Sequence, residues 1–305
     1  MFKSLKKGFE LFRTHKKVVV IYYLANLIPG ILVTIPVWAS LNRFAGNSLM
    51  GQKLAGPFDM DFLFEYLHYN KGIFSTVPAL VFVVFILYGF LSLFLSGGVF
   101  STYHNSKSYQ AGLFWQGAGK YFGRYLRLLV FVMAVYFLLS GVQFAVLGLR
   151  KLVFGDDPYQ YISYWANWLR LGLMFLGVII VFLIFDYARI DAVFNDEHRM
   201  LLSLWRGFKF TFTNFTRTFG LALAILLMGI LVLLAYNLVA SLFAPAASWA
   251  VVSLIITQQL YLVIKIGLKL ILYASELSLY KNSLSATGGE EKIVRDGLVA
   301  EPDIY

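Results

Sequence analysis

The chain of 305 residues is 59% hydrophobic and only 14% charged, with a formal net charge of +10 and a mean hydropathy of +0.72. That balance excludes an ordinary soluble domain, in which roughly half the residues are apolar and a quarter charged. With no cysteine and only His15, His68, His104 and His198, each standing singly, thiolate chemistry is excluded, and neither a metal site nor a cofactor is expected.

The first element is basic. Lys3, Lys6, Lys7, Arg13, Lys16 and Lys17 surround a single acid, Glu10. Phe2, Leu5, Phe9 and Phe12 recur at helical spacing, which predicts a helix at the membrane surface with its aromatic face in lipid. An apolar run of about 18–39 follows. It approaches the roughly twenty residues that cross a hydrocarbon core, and no small-residue cleavage site follows the basic start. It is expected to be a retained span rather than a signal peptide. Asn26, Pro29, Gly30 and Pro36 mark this helix as irregular, suited to a packing kink or to the wall of a polar cavity. In the connection "GPFDMDFLFEYLHYN", Phe58, Phe62, Leu63 and Tyr66 stand among acids and read as a short helix at the outer interface.

A second span is expected at about 73–96, leaving through "SGGVFSTYHN". The next stretch, "FWQGAGKYFGRYLR" from Phe114, puts Phe114, Ala118, Tyr121 and Tyr125 on one helix face and Lys120, Arg124 and Arg127 on another. It predicts a second surface helix before a third span at about 128–149. In "GDDPYQYISYWANW", Asp157 suits an N-cap and Pro158 the first helical position. A short helix there would hold Tyr161, Tyr164, Trp165 and Trp168 at headgroup depth.

The fourth span, about 169–188, ends in "FDYARIDAVF". Asp186 and Arg189 share a helix face, whereas Asp191 turns elsewhere. A carboxylate at membrane depth must pair, hydrate or lose its charge. Arg189 is the local partner for Asp186, and Arg124 or Arg127 a tertiary one. The favoured expectation is a structural pair at a wet helix end, ahead of a headgroup or substrate contact. "LWRGFKFTFTNFTR" from Leu204 then repeats the basic aromatic pattern through Leu204, Phe208 and Phe212, leading into spans at about 218–243 and 248–273. The last span carries Gln258, Gln259, Lys265 and Lys269 and exits through "YASELSLY". Asn26, Gln258, Gln259 and Lys265 are the candidate residues of a polar path. From Asn282 to Tyr305 a mobile cytoplasmic tail is expected.

The sequence therefore predicts an all-α, six-span bundle forming one membrane domain over about 1–281. Three basic aromatic stretches, each with an apolar residue three positions before Gly8, Gly117 or Gly207, divide it into tandem units of about 1–105, 106–198 and 199–281. Each unit is a surface helix plus a transmembrane hairpin. Repeats of the same orientation differ from the inverted repeats of many secondary transporters. Counting Lys and Arg alone places both termini and the connections after spans two and four in the cytoplasm.

The run "DYARIDAVFNDEHRMLLSLWRGFKFTFTNFTRTFG", Asp186 to Gly220, resembles the Asp-Tyr-Ala-Arg exit and following basic amphipathic helix of bacterial polytopic membrane proteins. These are the YciC-like set and the membrane domains attached to glycerophosphodiester phosphodiesterases. Asp186, Tyr187, Ala188 and Arg189 are the matching positions. The resemblance implies a multi-pass protein of the bacterial inner membrane and carries no catalytic signature. No Ser-His, Glu-His or paired-Asp array stands at usable spacing, so the expected role is that of a non-enzymatic structural or interaction protein organising lipid or partner proteins. Anionic phospholipids on the cytoplasmic side, and a membrane protein, are the expected partners. The alternative is a transporter or lipid-handling protein using the polar path. Nucleic-acid binding is disfavoured, because the inside-positive pattern already accounts for the basic charge.

Overall fold

The computed structural model describes residues 2–48, 59–105, 108–155, 159–243 and 248–299. Among them lie nine helices and no strand: α1 (Phe2–Thr14), α2 (Lys17–Ala45), α3 (Met60–Tyr69), α4 (Ile73–Asn105), α5 (Ala111–Phe154), α6 (Gln160–Phe194), α7 (Met200–Thr213), α8 (Phe215–Ser241) and α9 (Ser248–Val299). Six of these, α2, α4, α5, α6, α8 and α9, are long and apolar enough to cross a membrane. Lipid offers the backbone no hydrogen-bond partner, and a helix satisfies its own amides and carbonyls within one segment. The protein is a six-span, all-α, multi-pass membrane protein.

Several helices outrun their apolar runs. α5 has 44 residues and α6 has 35, far more than the roughly twenty needed for the hydrocarbon core, and their surplus turns carry the polar side chains. The basic stretches differ accordingly. A turn at His15 and Lys16 separates α1 from α2, and Asn214 separates α7 from α8, but "FWQGAGKYFGRYLR" is the start of the unbroken α5. Its expected surface helix is thus the first turns of a spanning helix. Likewise Tyr161, Tyr164, Trp165 and Trp168 lie, exposed, on the first turns of α6 and form no separate helix.

In the connection between α2 and α4, α3 does form. The Asp59 carboxylate accepts hydrogen bonds from the amides of Asp61 and Phe62 at 2.9 and 3.2 Å, an N-cap that fixes the helix start. Phe62 and Tyr66 pack on Phe44 of α2, tilted and edge-on, with ring centroids 5.9 and 5.4 Å away. Phe58, Asp157 and Pro158 lie outside the described residues. α9 continues to Val299, through most of the segment expected to be a mobile tail.

The chain sorts into two compact units. The first comprises residues 1–13, 97–223 and 271–305, and its core is built around Phe100, Phe114, Tyr125, Tyr187 and Ile190, all fully buried. The second comprises residues 14–96 and 224–270. There Tyr22, Leu95 and Leu270 are buried, while Ile28, Ile35, Phe82, Phe85, Leu231 and Ile256 are exposed, as expected of side chains whose solvent is lipid.

Candidate functional site

Three helix ends meet in the first unit, and three glycines hold other helices against them. A Cβ on Gly207 of α7 would fall 2.7 Å from the amide nitrogen of Ala188 in α6. One on Gly8 of α1 would fall 2.8 Å from the backbone of Ser275 in α9, and one on Gly117 of α5 would collide with the Ser101 side chain of α4. Backbone cannot yield as a flexible side chain can, so these glycines are required by close approach. Ser101, Ala188 and Ser275 are evenly spaced along the sequence, and the contacts form a cycle in which α5 rests on α4, α7 on α6, and α1 on α9.

Small residues extend two of these seams. Ser4 and Gly8 are the buried positions of α1, and Met200, Ser203, Gly207 and Thr211 those of α7. The opposite faces bear Phe2, Lys3, Lys6 and Phe9 in α1 and Trp205, Phe208, Lys209 and Phe212 in α7, all exposed. α5 turns the other way: Phe114, Ala118, Tyr121 and Tyr125 are buried against protein, where the sequence expects a face in lipid.

At the centre stands Arg189. It forms an ion pair with Asp186 one turn earlier, and the two residues are only 5% and 8% exposed. The guanidinium lies over the rings of Phe185, Tyr273 and Phe100, at 4.4, 5.3 and 5.5 Å from their centroids. Tyr125 donates a hydrogen bond to the Arg189 carbonyl at 3.1 Å. The expected pair is present, and aromatic side chains from four helices enclose it where the sequence predicts a wet helix end. Desolvated cation–π contacts of this kind contribute up to about 2 kcal/mol each, offsetting part of the cost of burying the charges.

Asp191 turns away from that pair, as its spacing predicts. Fully buried, its carboxylate accepts hydrogen bonds from Tyr280 at 2.7 Å and Asn195 at 2.6 Å, and Arg206 approaches to 3.7 Å. Glu276 is also completely enclosed, in the field of Arg189, and neither of its carboxylate oxygens is hydrogen-bonded.

Neither Arg124 nor Arg127 answers Asp186. Arg124 reaches the linker between α6 and α7, donating to Asp196 Oδ1 at 2.7 Å and the Glu197 carbonyl at 3.2 Å, with His198 Nε2 at 3.0 Å. Lys120 adds an ion pair to Asp196 Oδ2 at 2.9 Å, whereas Arg127 is exposed. Helical spacing explains the outcome: Tyr125 faces the hub, so its neighbour Arg124 faces the linker. The hydrogen bonds from Lys120 and then Arg124 hold the Asp196 carboxyl down at about 2. Asp196 itself sits at φ +48°, a left-handed conformation that aspartate tolerates better than most residues.

The expected polar path lies in the second unit. Asn26 accepts from Tyr88 at 2.8 Å and donates to the Tyr22 carbonyl at 2.6 Å, while Tyr23 donates to Gln259 at 2.9 Å. Lys269 donates to Ser92 at 3.3 Å and lies over the Tyr22 ring. Gln258 and Lys265 are exposed. The structure thus places Asn26 and Gln259 in contacts between helices and leaves the other two on the surface.

Sequence reasoning missed Asp196 as an ion partner, the aromatic box around Arg189, and Tyr280 as the donor to Asp191. The sequence signal for the last was "YASELSLY", whose second tyrosine lies on the exit helix. Compared with known proteins, the chain matches no family model, no curated protein and no solved structure.

Proposed function

We infer that the protein is a structural or interaction protein of the membrane, organising lipid or partner proteins through a basic aromatic surface and performing no chemistry of its own. The observation that carries this reading is the division of polar residues. Asp186, Arg189, Asp191 and Arg124 are spent on internal contacts, while α1 and α7 turn Phe2, Lys3, Lys6, Phe9, Trp205, Phe208 and Lys209 outward. That combination suits a helix lying on a lipid surface, with rings at the acyl boundary and ammonium groups among headgroups. The three glycine contacts on evenly spaced exit residues support three tandem units. The Lys and Arg distribution supports cytoplasmic termini, and the resemblance of Asp186–Gly220 to YciC-like proteins supports the bacterial inner membrane. In that setting the lipid partner is anionic phospholipid of the cytoplasmic leaflet. The transporter alternative loses support from the tyrosines that already satisfy Asn26 and Gln259.

The test is lipid enrichment in nanodiscs of mixed phosphatidylcholine and phosphatidylglycerol. Changing Lys3, Lys6 and Arg13 together to glutamine should lower phosphatidylglycerol enrichment, at about 1 kcal/mol per charge. Unchanged enrichment, with no protein partner recovered from several detergents, would remove the reading. A topology reporter after Tyr305 or near Ser108 should behave as cytoplasmic, and one near Lys53 or Gln160 as external.

A further inference from the structure

Away from the hub, an open cleft between α5 and α6 is lined among others by Leu139, Ser140, Val146, Arg170, Met174 and Gly177. Arg150 donating to Ser163 at 3.5 Å ties the two helices beyond it. We propose that this cleft is a phospholipid site, with the lipid phosphate on Arg170 and one acyl chain along the groove. It concerns the opposite ends of the spans from the basic surface and stands independently of the function inferred above.

Depth is the first argument. Tyr161, Tyr164, Trp165 and Trp168 are exposed on the opening turns of α6, the arrangement by which aromatic side chains mark headgroup level. Arg170 lies two residues further in, at the start of the apolar run. A cation there is costly unless its head snorkels outward or an anion meets it. Charge is the second argument. Arg124, Arg189 and Arg206 all have carboxylate partners, but Arg170 has no ion-pair partner among the described residues. A planar guanidinium fits a phosphate through two parallel hydrogen bonds.

The shape of the groove supplies the chain-binding half. Its Ser140 hydroxyl is already satisfied by the Phe137 carbonyl at 2.7 Å, leaving the floor effectively apolar. Gly177 contributes no side chain, so an added Cβ would only touch Leu139 at 3.5 Å. Val142, Leu173 and Met174 on the walls are 46%, 41% and 40% exposed, so the groove opens sideways, where a lipid chain enters from the bilayer. Phosphate recognition at the mouth and a methylene-lined groove below it match a phospholipid.

Native mass spectrometry of the full chain, delipidated stepwise in mild detergent, tests the assignment. The wild-type protein should retain one phospholipid after bulk lipid is removed. Arg170→Gln should reduce its occupancy roughly ten- to a hundredfold, as expected for lost hydrogen bonds to a charged group. Gly177→Leu should also expel it by filling the groove, with Arg170 intact. Arg127→Gln, a change at the basic end, should leave it in place, and circular dichroism with gel filtration should confirm that each variant is folded. Equal retention in wild type, Arg170→Gln and Gly177→Leu would overturn the proposal. Displacement by inorganic phosphate, with Gly177→Leu behaving as wild type, would also overturn it, showing an anion site without a chain groove.

Discussion

The unit around Arg189 encloses Asp186, Asp191 and Glu276 in protein, whereas the unit of residues 14–96 and 224–270 joins its spans mainly through neutral amides and tyrosine hydroxyls. Close glycine contacts between helices belong to the first unit, although Gly119, Gly141 and Gly172 there also meet nothing within 4 Å. Gly8, Gly117 and Gly207 in the first unit touch other helices so closely that a methyl group would collide, while Gly30, Gly89 and Gly229 in the second meet nothing within 4 Å. Full charge is kept where small residues have drawn helices together and aromatic rings have closed over it. Where leucine and isoleucine face lipid, neutral hydrogen bonds serve instead. The lesson is energetic: a buried ion tolerates little movement of its surroundings, while an amide–tyrosine contact survives a looser seam.

The largest effect should come from removing the central cation. Arg189→Met leaves Asp186 enclosed without its partner and should cost about 3–5 kcal/mol, read as a shift in denaturant unfolding in nanodiscs. Removing both members, in Asp186→Ala with Arg189→Ala, should cost less than the sum of the single changes, as coupled partners do. Additive losses would show that the two residues act separately and would dissolve the contrast between the units.

Next come the glycines. Gly207→Ala and Gly8→Ala should each destabilise by roughly 1–3 kcal/mol through overpacking. Gly89→Ala and Gly229→Ala should be neutral, or stabilising by up to about 1 kcal/mol, because alanine costs less chain entropy in a helix. Similar losses at all four positions would mean that both units pack alike. A smaller effect belongs to the amide contacts: Asn26→Leu should cost about 0.6 kcal/mol, the usual size of a hydrogen bond between membrane helices. A loss as large as that of Arg189→Met would reverse the ranking.

The smallest effect concerns the clamp on the α6–α7 linker. Asp196 is about half exposed, so its ion pairs with Lys120 and Arg124 are solvent-screened and Asp196→Asn should cost below about 1 kcal/mol. Its carboxyl is depressed to about 2 in the folded protein, against about 3.9 in an unfolded chain. The stabilisation is therefore complete above about pH 4 and fades as the pH falls toward 2. Wild type and Asp196→Asn should differ at pH 6 and converge only below about pH 2; a constant difference would show that the clamp acts through shape.

Much of the architecture was legible in the chain because lipid imposes strong rules. Six apolar runs of sufficient length leave the helix as the only segment-autonomous structure, and the i, i+3 spacing of Asp186 and Arg189 already put them on one face. Helix continuity was less legible. The two stretches look alike up to one residue: "FWQGAGKYFGRYLR" runs straight into its span, whereas "LWRGFKFTFTNFTR" breaks at its own Asn214. Partner choice was also hidden. Whether Arg124 meets Asp186 or Asp196 depends on how α5 is rotated against α6, and that rotation is set by Tyr125 bonding to Arg189 of α6 and Phe114 packing on Gly98 of α4. Phe100 and Tyr273, which close over Arg189, are far from it in sequence and look like ordinary span residues.

The seat of α1 on Ser275 has a consequence for how the protein is made. α1 is synthesised before α9, and the surface of α9 that receives Gly8 lies 267 residues further along the chain, at Ser275. At typical translation rates of about 5–20 residues per second, that surface appears roughly 13–53 s later. Until then the nascent chain carries α1 unmated beside a partly inserted bundle. A chain truncated before residue 275 would never mate it, so the seam of α1 closes only once α9 has been made.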